Sequence, residues 1–233
     1  MQAAPLRSTV RGPAFIRLLT RLTDVDAPQS GASLPDRLSH WLDWKQAIAL
    51  STALDGMPAE PADDIPAFGE SVEDECRGAR DALIQAIAND RAFLTSAQRQ
   101  AQGMPTLDAA NDYAPLRQRY IALQRKIQAT TGSLRGNLRD MLAQASPELA
   151  RLAEVDAVME MALSPREQSL LGKVPTLLGE YFDGLRQRTQ GSPADASALW
   201  LDVFRKDMQS VLLAELDVRF QPVEGLLAAL RAS

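Results

Sequence analysis

Apolar and small side chains recur at alternating spacings of three and four residues along two long stretches of the chain, residues 71–100 and 112–146. This spacing predicts helices that bury one face against another helix. Gly103 and Pro105 lie between the stretches and would end both helices. The pattern therefore predicts a long antiparallel, coiled-coil-like helical hairpin over residues 71–146. The first stripe is Val72, Cys76, Ala79, Leu83, Ala86, Asp90 and Phe93; the second is Tyr113, Leu116, Tyr120, Leu123, Ile127, Thr130, Leu134, Leu138, Met141 and Ala145.

The two arms of this hairpin differ in the size of their apolar residues. The first arm carries mostly small side chains, and Asp90 interrupts its seam. The second arm is richer in large apolar residues, so we expect it to contact another helix or another molecule besides the first arm. Gly132 and Gly136 weaken the middle of the second arm and predict a kink or a close helix crossing there.

Shorter helices are predicted on both sides of the hairpin. Residues 1–56 form N-terminal helices, the second running from about residue 34 to 55 and carrying Trp41 and Trp44. Residues 57–70 form an acidic, proline-rich linker. Residues 147–233 form a C-terminal helical region. The sequence predicts serine caps and proline breaks in that region: caps at Ser146 and Ser164, and kinks or ends at Pro175 and Pro222.

The composition supports helices and no sheet. Hydrophobic residues make up 45% of the 233 residues, but aromatic residues only 5%, and runs of β-branched residues are missing. Alanine, leucine, glutamine, glutamate and arginine lose little freedom in a helix. We therefore predict an all-α fold, a multi-helix bundle built around the hairpin.

The charge distribution bears on possible partners. A net charge of −5 argues against general nucleic-acid binding, which needs a basic surface. The segment 117–139 is nevertheless basic and holds no acidic residue. It could follow a phosphate backbone, or it could pair with the acidic segment 57–75 of the same molecule or of a partner. Its cations are Arg117, Arg119, Arg125, Lys126, Arg135 and Arg139.

Few residues are candidates for chemistry. Cys76 and His40 are the single cysteine and the single histidine, so a protein-only cysteine–histidine metal site is excluded by count. Cys76 lies on an apolar stripe and is interpreted as a core residue. His40 and Asp43 would be neighbours on a helix, but no nucleophile accompanies them, and we interpret His40 as a surface or interface residue. The acidic pairs, Asp63–Asp64 and Asp74–Glu75, lack the ligand spacing of a calcium loop. We predict no catalytic, cofactor-binding or metal-binding residue.

No stretch of the sequence approaches the roughly 20 apolar residues that a membrane span needs. Arg17 and Arg21 interrupt the apolar run near the N-terminus, which a secretory signal would keep unbroken. We therefore expect a cytoplasmic protein that spans no membrane. The first helix sets arginines against an apolar face, so peripheral contact with an anionic membrane stays open, although docking onto the protein's own body is the commoner use of such a face.

Three segments carry a resemblance to a known family: FIRLLTRLTDVDAP at residues 15–28, RLSHWLDWKQAIALSTALD at 37–55 and LRQRYIALQRKI at 116–127. Together they resemble an uncharacterised proteobacterial family of about 230–270 residues that is classified as a domain of unknown function. The resemblance covers nearly the whole chain. It implies a cytoplasmic accessory of a bacterial envelope assembly, and it implies no catalytic residue.

These observations favour a non-enzymatic helical scaffold or adaptor. Its partner, or a second copy of the chain, would bind the hairpin and the helix that carries Trp41 and Trp44. One alternative is a nucleic-acid-associated coiled-coil protein that uses the arginine-rich arm 117–139. Another is an enzyme of unrecognised type, which a deep polar pocket with converging glutamate, aspartate, His40 or tyrosine side chains would favour.

Overall fold

The computed structural model describes residues 14–23, 33, 36, 40–55, 70–103, 112–189 and 194–232. Within these ranges the chain forms helices and no strands, so the all-α prediction is confirmed. The predicted linker 57–70 lies outside the described residues except for its last residue. The helices, in chain order, are α1 (Ala14–Thr23), α2 (Trp44–Asp55), α3 (Glu70–Ala88), α4 (Ser96–Ala101), α5 (Ala114–Ala145), α6 (Pro147–Leu171), α7 (Val174–Thr189) and α8 (Ala194–Arg231).

Helix α5 lies at the centre of the fold. It packs most extensively against α6 and α8, and it also contacts α3 and α7. Most large apolar residues of the second predicted stripe lie on its buried face. Thr131 and Leu142 are buried at the positions where the stripe predicts Thr130 and Met141, which are only partly buried. Fully or nearly fully buried are Leu116, Tyr120, Leu123, Ile127, Leu134, Leu138 and Leu142. The expectation that this segment has several neighbours therefore agrees with the structure.

The predicted hairpin is not confirmed as a pair of long arms. Its first arm ends at Ala88, and a turn over residues 89–95 separates α3 from the short α4. The Asp90 carboxylate accepts hydrogen bonds from the Ala92 backbone N–H and from Arg119, and these bonds hold the turn. An aspartate that bonds its own backbone competes with a helix in this way.

Helix α3 packs more along α8 than along α5. Arg80 donates hydrogen bonds to Asp217 and Glu224 on α8, at 2.7 and 3.1 Å. Arg231, at the end of α8, pairs with Glu73 at 2.6 Å. The main neighbour of the first arm is therefore the C-terminal helix α8 rather than α5.

Some predicted helix ends are correct and others are wrong. Ser146 is the N-cap of α6, and its hydroxyl accepts the Leu149 N–H at 3.2 Å. The predicted cap at Ser164 is wrong because α6 continues through Pro165. Pro222 lies inside α8 and does not end it, so of the two predicted outcomes, a kink or an end, the end is wrong. An internal proline costs about 3 kcal/mol. The burial of apolar residues on both sides of each proline offsets that cost, because it keeps the two halves of the helix packed on the core. The buried residues are Ala162 and Leu171 in α6, and Phe220 and Val223 in α8.

The glycine pair of α5 does not mark a close helix crossing. Helix α5 runs unbroken through Gly132 and Gly136, and a Cβ atom added at either position would meet no neighbouring atom within 4 Å. Space beside these glycines is open, so the predicted close approach is wrong. At Gly132 that space belongs to the cleft described below.

The tryptophan helix is shorter than predicted. Helix α2 begins at Trp44, and residues 42 and 43 break the predicted helix 34–55. The Asp43 carboxylate accepts the Gln46 N–H at 2.8 Å, and the Gln46 side chain accepts the Asp43 N–H at 2.9 Å. This reciprocal capping pair starts the helix at Trp44. Helix α2 packs on α6.

Helix α1 packs against α7 and α8. Phe15 is buried, and Leu18, Leu19 and Leu22 contact the core. The apolar face that could have met a membrane is thus occupied by the protein's own body. Among the described helices, none is long and apolar enough to cross a membrane.

Candidate functional site

A polar cleft of about 320 Å³ opens between α5, α6 and α8. Charged and polar side chains make up most of its lining, and Val218 and Pro222 of α8 form an apolar wall. The polar side chains come from each of the three helices: Gln128, Thr131 and Arg135 from α5, Glu160, Ser164, Glu167 and Gln168 from α6, and Arg219 from α8.

Helix α6 presents its cleft residues through simple periodicity. Glu160, Ser164 and Glu167 are spaced by four and then three residues, which places them on one helix face. The continuity of α6 through Pro165 is essential to this shared face, because a break at Ser164 would turn Glu167 away from Glu160. The cleft therefore depends on the uninterrupted course of α6.

Ion pairs form one end of the cleft and tie α5 to α6. Arg135 binds the two Asp156 carboxylate oxygens through Nε and Nη2, at 2.7 and 2.6 Å. Arg139 donates to Asp156 at 3.2 Å and also to Glu160. A two-point guanidinium–carboxylate pair of this kind fixes geometry as well as charge.

A buried carboxylate lies behind the other end of the cleft. Glu215 of α8 is fully buried and accepts hydrogen bonds from Tyr120 at 2.9 Å, Gln124 at 3.0 Å and Arg219 at 3.0 Å. Arg219 also donates to Glu167 at 2.8 Å, which connects the buried network to the cleft. Burial, reinforced by the Glu215 charge, raises the pKa of Tyr120 well above its usual range. This network holds Arg219 and Glu167 in place.

A second surface is apolar and lies on α2. The Trp44 side chain is 80% exposed, and Ile48, one turn further on, and Leu54 are exposed as well. Trp41 lies just before the helix, and the Arg166 guanidinium lies over its ring at 4.9 Å from the ring centre. One tryptophan therefore contacts the body of the protein, while the other points to solvent.

Comparison with known proteins shows a family and nothing closer. The model of a family described as protein of unknown function, DUF3348, matches residues 1–232. The chain belongs to the DUF3348 family. No curated protein and no solved structure matches this sequence. The family resemblance seen in the sequence is therefore confirmed.

Three of the six cations in the basic arm of this DUF3348 chain pair with acids of the same chain. Arg119 pairs with Asp90, and Arg135 and Arg139 pair with acids of α6. The remaining cations of the arm, Arg117, Arg125 and Lys126, are exposed. The acids of the described pairs come from α6 and from the 89–95 turn. The predicted pairing of the arm with the acidic segment 57–75 stays a prediction, because most of that segment lies outside the described residues.

The other candidates of the DUF3348 chain do not converge. His40 is exposed, and the Asp43 carboxylate caps α2, so the predicted helical neighbours do not share a continuous helix. Cys76 is buried as expected, and burial raises the pKa of its thiol. No metal-binding group of three or more His, Cys, Asp or Glu side chains occurs in the described part of the chain.

Sequence reasoning missed the cleft of this DUF3348 member. Ser164 resembles a helix cap in the sequence, but the spacing of Glu160, Ser164 and Glu167 is the signal for a shared polar face. Glu215 lies between apolar residues in the sequence. A charged residue inside an apolar helix face is the signal that could have predicted a buried network.

Proposed function

We propose that the protein is a non-enzymatic helical scaffold that acts through protein–protein contact, with the exposed apolar face of α2 as its docking surface. The observation that carries this proposal is the 80% exposure of Trp44 beside Ile48 on the same helix face. Tryptophan is enriched among the residues that dominate binding energy at interfaces. A large exposed ring next to aliphatic residues is typical of an interaction surface.

The occupant that fits this face best is a second copy of the chain. Lys45 lies near the N-terminal end of α2, and Asp55 lies at its C-terminal end. Two α2 helices packed antiparallel about a twofold axis would place each Lys45 near the partner's Asp55. Their helix dipoles would then run in opposite directions and attract each other. Helix α2 is 12 residues long, or about 18 Å, so the interface is small. We expect a reversible dimer with a Kd in about the micromolar range.

The alternatives have less support. Ion pairs inside the chain occupy half of the cations that a nucleic-acid interface on the basic arm would use. The cleft is polar, as an enzyme would need, but neither His40 nor a tyrosine lines it, and its carboxylates pair with arginines. A cytoplasmic place beside a bacterial envelope assembly agrees with a scaffold role and belongs to the same proposal.

Sedimentation equilibrium over a concentration series tests the proposal. The wild-type chain is expected to pass from monomer to dimer as concentration rises. Trp44→Glu is expected to remain monomeric across the same range, because it replaces the largest exposed apolar side chain of this face with a charge. Leu199→Ser is the matched control, since Leu199 is also exposed but lies on α8. It should dimerise as the wild type does.

Charge reversal tests the antiparallel register. Lys45→Glu and Asp55→Lys are each expected to weaken the dimer, and the double variant is expected to restore it. A chain that is monomeric at every concentration, or a dimer that Trp44→Glu leaves intact, would overturn the proposal.

A further inference from the structure

We propose that the cleft between α5, α6 and α8 binds a neutral polyol, an uncharged ring of monosaccharide size that carries several hydroxyl groups. The cleft volume of about 320 Å³ is at the lower end of the range that small-molecule sites occupy. The cleft shares no helix with the α2 docking face, so the two proposals stand independently.

The charged side chains of the cleft are paired with one another. Arg135 lies 3.6 Å from Glu160, and Arg219 donates to Glu167 at 2.8 Å. Two guanidiniums thus balance two carboxylates among the described lining residues. A charged ligand of either sign would have to displace a partner from one of these pairs and leave its charge uncompensated, which is costly in a partly buried site. A neutral ligand leaves both pairs intact.

The cleft residues whose side chains lack a hydrogen-bond partner are neutral. The side-chain amides of Gln128 and Gln168 and the hydroxyl of Ser164 line the cleft, and they form no hydrogen bond with any residue that the structure describes. An amide group and a hydroxyl group can each donate and accept. Ligand hydroxyls also donate and accept, so a polyol can satisfy such groups in both senses.

The Glu167 carboxylate has an acceptor to spare. Its side chain is 42% exposed, and within the described part of the chain only its Oε1 atom accepts a hydrogen bond, from Arg219. A carboxylate can accept up to about four hydrogen bonds. A ligand hydroxyl can therefore donate to Glu167 while the ion pair with Arg219 stays formed.

The wall of the cleft favours a sugar-like ring over a flat aromatic ring. Val218 and Pro222 lie one turn apart on α8 and form an aliphatic wall, against which the C–H groups of a saturated ring can pack. Among the described lining residues none is aromatic, so a nucleobase would find no ring on which to stack. The open space beside Gly132 leaves room for the ligand.

Two-dimensional NMR spectra of the isotope-labelled full chain test the proposal, with glucose, galactose and mannose as probes. At least one of the three is expected to bind saturably at one site per chain, with a Kd in about the millimolar range that a ligand of this size reaches. The chemical-shift changes should be largest at the cleft residues and should include the side-chain amide signals of Gln128 and Gln168.

Charged derivatives of the sugar that binds best test whether the ligand is neutral. Its amino-sugar derivative carries a positive charge at neutral pH, and its uronate derivative carries a negative charge. Both are expected to bind about tenfold more weakly than the parent sugar, because each brings an unbalanced charge into a cleft whose own charges are paired.

Paired variants locate the site by hydrogen bonding. Gln128→Leu is expected to weaken sugar binding about tenfold, because it replaces the amide with an apolar group of similar size. Gln118→Leu makes the same change at an exposed position of α5 outside the cleft lining, and it should bind as the wild type does.

A second pair of variants locates the site by volume. Gly132→Leu fills the open space of the cleft and is expected to abolish binding, while circular dichroism shows that the protein stays folded. Gly136→Leu adds the same side chain one turn away, outside the cleft lining, and should bind normally. Failure of all three sugars to bind, tighter binding of a charged derivative, or unchanged binding by both Gln128→Leu and Gly132→Leu would overturn the proposal.

Discussion

At the scale of single residues, a missing side chain shapes the aromatic part of the core. Tyr113 lies 5.6 Å from Phe182 and 5.9 Å from Phe204, measured between ring centres, and its hydroxyl donates to the Pro175 carbonyl at 2.5 Å. A Cβ atom at Gly179 would lie 2.9 Å from Tyr113 Cε1. The ring is held on several sides, so it cannot move away at low cost.

We therefore expect Gly179→Ala to lower the free energy of unfolding by about 1–3 kcal/mol, the usual cost of overpacking a core. Gly184→Ala, in the same helix, is the control. Its added methyl group meets nothing within 4 Å, so it should be neutral or stabilise the protein slightly. Urea unfolding followed by circular dichroism measures both, and equal stabilities of the two variants would contradict this account of the aromatic packing.

At the scale of helices, two similar sequence signals have different outcomes. Ser146–Pro147 and Ser164–Pro165 both resemble the start of a helix, yet only the first begins one. The hydroxyl of Ser146 accepts the Leu149 N–H, whereas Ser164 lies inside α6 and lines the cleft. Local propensity predicts a helix start at both serines equally well. The packing of residues 160–171 distinguishes the two, because it keeps α6 continuous through Ser164.

The two serines thus give a matched test of helix capping. Ser146→Ala is expected to lower the free energy of unfolding by about 0.5–2 kcal/mol because it removes an N-cap. Ser164→Ala should leave stability unchanged or raise it by a few tenths of a kcal/mol, since alanine is the better residue inside a helix. Thermal unfolding of both variants decides the matter. A larger loss at Ser164 would mean that a helix starts there.

At the scale of the whole molecule, all three tyrosines of the sequence serve the packing between helices. Tyr113 contacts α7 and α8, Tyr120 of α5 reaches Glu215 of α8, and Tyr181 of α7 donates to Asp207 of α8 at 2.6 Å. Burial raises the pKa of each of the three phenols above the ordinary value of 10.0. Their protonation is thereby linked to folding.

The sign of this linkage predicts alkaline unfolding. The folded chain holds the phenolic protons more tightly than the unfolded chain does, so the contribution to stability is complete below pH 10 and is lost as the pH rises further. Tyrosinate absorbance should therefore appear together with the loss of helical circular dichroism, above pH 10. In urea the phenols should titrate near pH 10. Tyrosinate formation near pH 10 in a chain that stays helical would contradict the burial of these residues.

The sequence by itself determined the helical class, the buried face of α5 and the cap at Ser146, because periodicity and capping act within a few residues of one another. The tertiary structure decided which helices pair, since that choice compares the burial of many faces at once. It placed α3 on α8 rather than on α5, carried α6 and α8 through Pro165 and Pro222, and used Asp90 to hold a turn. It also brought Glu160, Glu167 and Arg219 to one cleft. Residues from helices far apart in sequence meet only when the whole core has formed.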